Sequence, residues 1–129
     1  MKKLALLGRI LFAIPIAAIG ISHFLMTPAF LERLSNSLIP GNLYTVMLAG
    51  AMLIIASIFI VLNKYVKVAC LWLAGMLLVI ITAIHLPNLF VPAHFDYALM
   101  EILQDTALMG AALMIAYYLD KANEDEAGI

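Results

Sequence analysis

The feature that most constrains this chain is a set of four apolar stretches, each about twenty residues long, with little sequence between them. A helix needs about 20 apolar residues to cross a hydrocarbon layer roughly 30 Å thick, because lipid cannot satisfy a bare backbone amide. The stretches run from about Leu4 to Phe24, Leu43 to Leu62, Val66 to Leu86 and Tyr97 to Leu119. Read as helices, they predict an all-α integral membrane protein: residues 1–129 as one membrane domain, with four transmembrane helices in an antiparallel bundle. Composition agrees, with 66% hydrophobic and 12% charged residues, against about 25% charged in an ordinary soluble domain. The lone Cys70 excludes a disulfide framework. A net charge of −1 with no basic cluster excludes nucleic acid as a partner.

The connections carry further information. Only Asn63, Lys64 and Tyr65 separate the second and third stretches, so those helices are antiparallel neighbours. Between the first and second, Thr27 can cap a helix, Pro28 suits a first turn, and Phe30, Leu31, Leu34 and Leu38 recur at helical spacing. This predicts a short interfacial helix over residues 28–38, with Glu32, Arg33, Ser35 and Asn36 turned to water. Pro40 and Gly41 then turn the chain inward. The Pro-rich and aromatic connection from Pro87 to Asp96 suits the headgroup layer. The acidic tail, residues 120–129, reads as frayed.

Lys2, Lys3, Arg9, Lys64, Lys67 and Lys121 fall at one end of the bundle, and Arg33 alone falls at the other. Positive charge is retained in the cytoplasm, so both termini are expected there. Lys2 and Lys3 ahead of an apolar run resemble a signal peptide, but Arg9 interrupts the run and the span reaches full length.

Helices in lipid associate through small and polar residues, so these mark the bundle interior. Inward stripes at alternating spacings of three and four read as Arg9, Ala13, Ile16, Gly20 and His23 on the first span, and Gly50, Leu53 and Ser57 on the second. The third gives Leu71, Gly75, Leu78, Thr82 and His85, and the fourth Glu101, Asp105, Leu108, Ala112 and Ile115. His23, His85, Glu101 and Asp105 then crowd the half of the bundle away from the termini. An ionised carboxylate in hydrocarbon costs about 2.5–3.5 kcal/mol, so Asp105 needs a partner, and the two histidines are the obvious ones.

Three chemistries fit this cluster: a hydrogen-bonded plug that aligns helices, a quinone or proton-exchange site, and a metal site. An imidazole can hydrogen-bond a quinone carbonyl and a carboxylate can take its proton. Two His and two carboxylates are also a legal metal set, but on three separate helices they lack the spacing of a dedicated motif. Arg9 lies apart, either snorkelling to lipid phosphate or facing inward toward an anionic group. Cys70 reads as a small packing residue and Trp72 as an interfacial anchor.

Several short runs also point to a family. Gly20-Ile21-Ser22-His23-Phe24, Pro28, Leu38-Ile39-Pro40, Gly50, Ile84-His85-Leu86-Pro87-Asn88 and Asp105-Thr106-Ala107-Leu108-Met109-Gly110 together resemble the DoxX-like membrane proteins. The resemblance spans nearly the whole chain and implies a bacterial four-helix bundle, related to membrane subunits of thiosulfate:quinone oxidoreductase. DoxX-like chains often carry a Glu about one turn into the second span, where this chain has Leu53. The implied role is a redox-associated accessory subunit, with quinone as ligand at His23, His85, Glu101 and Asp105 and with Arg9 holding the opposite end. Partners implied are the lipid bilayer, a larger membrane or redox protein, and a second copy of the chain. A structural or assembly protein without chemistry is the alternative. A small multidrug exporter shares the four-span plan but needs a carboxylate in the first span, and none is present.

Overall fold

The computed structural model describes residues 2–128, all helix and connection. In chain order the elements are α1 (Lys2–Leu25), α2 (Thr27–Leu34), α3 (Leu43–Leu62), α4 (Val66–Ile80), a π-helical turn (Ile81–His85), α5 (Leu86–Leu89), a 3-10 turn (Pro92–His94) and α6 (Phe95–Ala127). Four continuous helical stretches, Lys2–Leu25, Leu43–Leu62, Val66–Leu89 and Pro92–Ala127, are long and apolar enough to cross a membrane. The all-α, four-span plan expected from the sequence is the observed one.

The bundle is built from two tight pairs. α1 packs along α3 and α4 along α6, while α3 and α4 meet more sparingly. The first pair crosses on glycine: a Cβ on Gly20 would stand 2.8 Å from the Gly50 carbonyl oxygen, and one on Gly50 would stand 2.8 Å from that of Gly20. Without side chains there the backbones approach closely, which substitutes for the hydrophobic force that lipid removes. Ala13, Ile16, Gly20 and His23 of α1 are buried, as are Gly50, Leu53 and Ser57 of α3. Both stripes match the sequence reading.

The third span does not. Leu71, Gly75, Leu78 and Thr82 face outward, and the buried residues of α4 are Val66, Ala69, Cys70, Leu73, Ala74 and Leu77. The cause is Pro87. Its ring crowds the carbonyl of Ala83, four residues back, and it has no N–H to give that carbonyl. The helix answers by widening: Leu86 N–H donates to Ile81 O, five residues back rather than four. The Ala83 carbonyl instead accepts the N–H of Leu38 at 2.8 Å. One inserted residue turns everything beyond it by about 100°. A straight helix continuing the Val66, Cys70, Leu73, Leu77 stripe would bury Ile80, Ile84 and Pro87. The widened one buries His85 and Asn88 instead.

Three connections also depart from expectation. The interfacial helix stops at Leu34 and Leu38 is 78% exposed, because the chain leaves helical geometry to hand the Leu38 N–H to Ala83. Thr27 does not cap α2. Its hydroxyl donates backward to His23 O at 2.8 Å and closes the end of α1. The acidic tail is not frayed, since α6 continues to Ala127. It is held by Lys2–Glu126 at 2.8 Å, Lys67–Asp120 at 3.0 Å and a side-chain bond from Asn63 to Asn123 at 3.0 Å. Lys2 meeting Glu126 puts both termini at one end.

Candidate functional site

A cavity of about 310 Å³ opens between the two helix pairs at the end away from the termini. All four long helices and α2 line it. Its walls are apolar, with Ile16, Leu53, Leu73, Leu77 and Leu108 reaching toward the middle of the bundle. Its charged and amide groups are His23, His85, Glu101, Asp105, Gln104 and Arg33, joined by the Ser22 and Thr45 hydroxyls. A mostly apolar pocket with a few convergent polar groups is the usual form of a small-molecule site. Of the five residues singled out in the sequence, four therefore share one cavity. Arg9 is not among them, because fourteen residues of helix, about 21 Å of rise, separate it from His23. It is half-buried in the other half of the bundle, and its Nε has no hydrogen-bond partner among the described residues.

The cluster is built upward from helix geometry. Glu101 and Asp105 stand four apart on α6, which puts both carboxylates on one face. The π turn delivers His85 to that face, with Nε2 3.2 Å from Asp105 Oδ2 and 3.9 Å from Glu101 Oε2. The His85 and Asp105 side chains are only 7% and 14% exposed. Of the two ring nitrogens, Nε2 is the one that faces a carboxylate acceptor. His85 Nδ1 is buried without a partner among the described residues, and an unprotonated nitrogen there costs less than an orphaned N–H.

The second histidine departs from the expected role. His23 sits in regular α-helix, so its Nδ1 donates to Ile19 O at 2.8 Å, and its ring stacks on Phe30 at 3.9 Å between centroids. It lines the cavity but pairs with neither carboxylate. The two histidines therefore turn opposite nitrogens to their nearest acceptors. The difference traces to the π turn, which withdraws the carbonyl that His85 Nδ1 would otherwise meet.

Arg33 was expected to face water. Instead its guanidinium reaches inward, donates from Nη1 to Glu101 Oε1 at 3.3 Å, and lies 5.5 Å from the Phe30 ring centre and 5.6 Å from that of Tyr97. It was legible in principle as the only basic residue at its end, facing an acidic stripe that needed a cation. Asn88, fully buried, was also missed. Its amide donates to Arg33 O at 3.1 Å and Ile84 O at 2.8 Å, while its oxygen accepts from His94 Nδ1 at 2.9 Å and the Tyr97 hydroxyl at 3.3 Å. These bonds fix α2 over the cavity, and with it Arg33.

The donor atoms of His85, Glu101 and Asp105 lie within 4.8 Å of one another, a set able to hold a metal ion. Ligation through Nε2 would leave an N–H on His85 Nδ1 buried without an acceptor, and metal-bound histidines almost always satisfy that second nitrogen. Arg33 already neutralises Glu101. The residues present thus favour hydrogen bonding over metal ligation.

No family model, curated protein or solved structure matches this chain.

Proposed function

We propose that this chain is a DoxX-like accessory subunit of a bacterial inner membrane, with cytoplasmic termini, that binds a quinone-type head group in the cavity beneath α2. The observation that carries this reading is an apolar-walled cavity in the membrane with two imidazoles and two carboxylates at its polar end. The walls suit a lipophilic ring, and the polar end suits its oxygens. When such a ring takes two electrons from a redox partner it also takes two protons. In this reading Asp105, 3.2 Å from His85, takes up a proton from water at the cavity mouth and passes it on, once for each of the two. Arg33 keeps one carboxylate neutralised and ties α2 to the site.

Calorimetric titration of the purified protein with a short-chain quinone, in both redox forms, tests the proposal. Saturable binding is expected, weakened tenfold or more in His85→Ala with Asp105→Asn. Absence of saturable heat with either form removes the reading. The competing reading is a plug that only sets helix register, and the ion pairing already present inside the cluster favours it. It predicts that the same substitutions lower the melting temperature while no quinone shifts it.

A further inference from the structure

The hydrogen-bonding face of the cavity is unbalanced. His23 commits its proton to Ile19 O, and its ring is held by the stack on Phe30, which leaves Nε2 as a bare lone pair with no partner among the described residues. A second proton there would create a buried cation that no carboxylate pairs with. Asp105 and Glu101 are acceptors as well. Asp105 Oδ2 lies 3.2 Å from His85 Nε2, and Glu101 Oε1 accepts from Arg33 Nη1. The Ser22 and Thr45 hydroxyls donate to backbone carbonyls. The donors left for a ligand are the Gln104 amide and the spare N–H groups of Arg33. The His23 side of the cavity offers a lone pair and no donor.

We infer that the cavity recognises its ligand as a hydrogen-bond donor, so that of the two forms of a quinone-type ring it takes the dihydroxy one, with hydroxyls donating to His23 Nε2 and the Asp105 carboxylate. This rests on the quinone reading above and adds which redox state the site selects. A hydroquinone satisfies the lone pairs. A quinone, which has only acceptors, would set its carbonyl oxygens against them, and polar sites reject analogues that leave buried groups unpaired.

The test is anaerobic calorimetry on the wild-type protein in lipid nanodiscs with three probes: a short-chain hydroquinone, its quinone, and its dimethyl ether. The hydroquinone is expected to bind at least about tenfold tighter than either of the others, as expected for one hydrogen bond to a charged acceptor. His23→Phe, which keeps the stack on Phe30, should weaken hydroquinone binding and narrow its lead over the quinone. Quinone binding equal to or tighter than hydroquinone binding overturns the inference and leaves the quinone site standing. Failure of both forms to bind overturns both. The three-probe comparison uses only the wild-type chain, so the folding of a variant does not decide it.

Discussion

Asn88 is a small amide that makes four hydrogen bonds, to a carbonyl of α2, a carbonyl of the π turn, and the side chains of His94 in the 3-10 turn and Tyr97 in α6. Truncating it leaves several buried groups unpaired, each costing about 1–3 kcal/mol. Asn88→Ala should therefore lower stability by about 2–4 kcal/mol, read as a fall in melting temperature in detergent. It should also speed proteolysis of the Phe90–His94 connection, since that segment loses its anchor. An unchanged melting temperature would mean that the network is bridged by water. Arg33 makes the complementary point about legibility. Helical spacing assigned it to the polar face of α2, but a guanidinium on a long stem can reach around a short helix to a carboxylate, and face counting cannot see that reach.

Among the elements, α3 begins and ends where the apolar run does, at Leu43 and Leu62, and α1 runs only a few residues beyond its expected bounds. Apolar length dictated both, and the inward stripes of α1, α3 and α6 follow from small and polar residues at regular spacing. The third span was misread because spacing arguments assume 3.6 residues per turn throughout. Stepping back from His85 by sevens lands on Leu78 and Leu71, which face outward once the π turn is allowed for. Pro87 was the visible sign that the ladder must break, but a proline can kink, end or widen a helix, and the Leu38 donor that decides the outcome comes from another part of the chain. Deleting the exposed residue Thr82 together with Pro87→Ala should therefore be tolerated, since it converts the π turn to α-helix without the ring that widened it and keeps His85 facing α6. Deleting Leu71 should destabilise strongly, because it turns Leu73, Ala74 and Leu77 away from the core. Thermal melts of the two deletions check this, and equal losses would refute it.

Glycine positions give a separate test at the same scale. Gly50→Ala drives a Cβ against the Gly20 carbonyl and the His23 side chain, and should cost about 1–3 kcal/mol. Gly75→Ala and Gly110→Ala meet nothing within 4 Å, so they should be neutral or raise the melting temperature slightly through helix propensity. Chemical denaturation of the three variants separates close approach from mere flexibility.

For the whole molecule, the two helix pairs divide the labour between their ends. At the terminal end, Lys67–Asp120, Lys2–Glu126 and Asn63–Asn123 close the bundle with exposed or half-exposed polar contacts. At the other end the pairs part around the cavity, and α2 covers it. The charge asymmetry behind the proposed orientation is sharper in the fold than in the sequence. Six basic residues lie in the terminal half, whereas Arg33, the one at the far end, is bonded inward to Glu101 and offers little free charge to the membrane surface. That asymmetry is the support for the proposal of cytoplasmic termini. A reporter that fluoresces only in the cytoplasm should be bright when fused to either terminus and dark when inserted between Asn36 and Gly41. Neutralising Lys2 and Lys3 together should leave that pattern intact, because Arg9, Lys64, Lys67 and Lys121 still outweigh a sequestered arginine. Arg33→Ala should also leave it intact. A bright insertion with dark termini would reverse the orientation, and the cavity would then draw its protons from the cytoplasmic side.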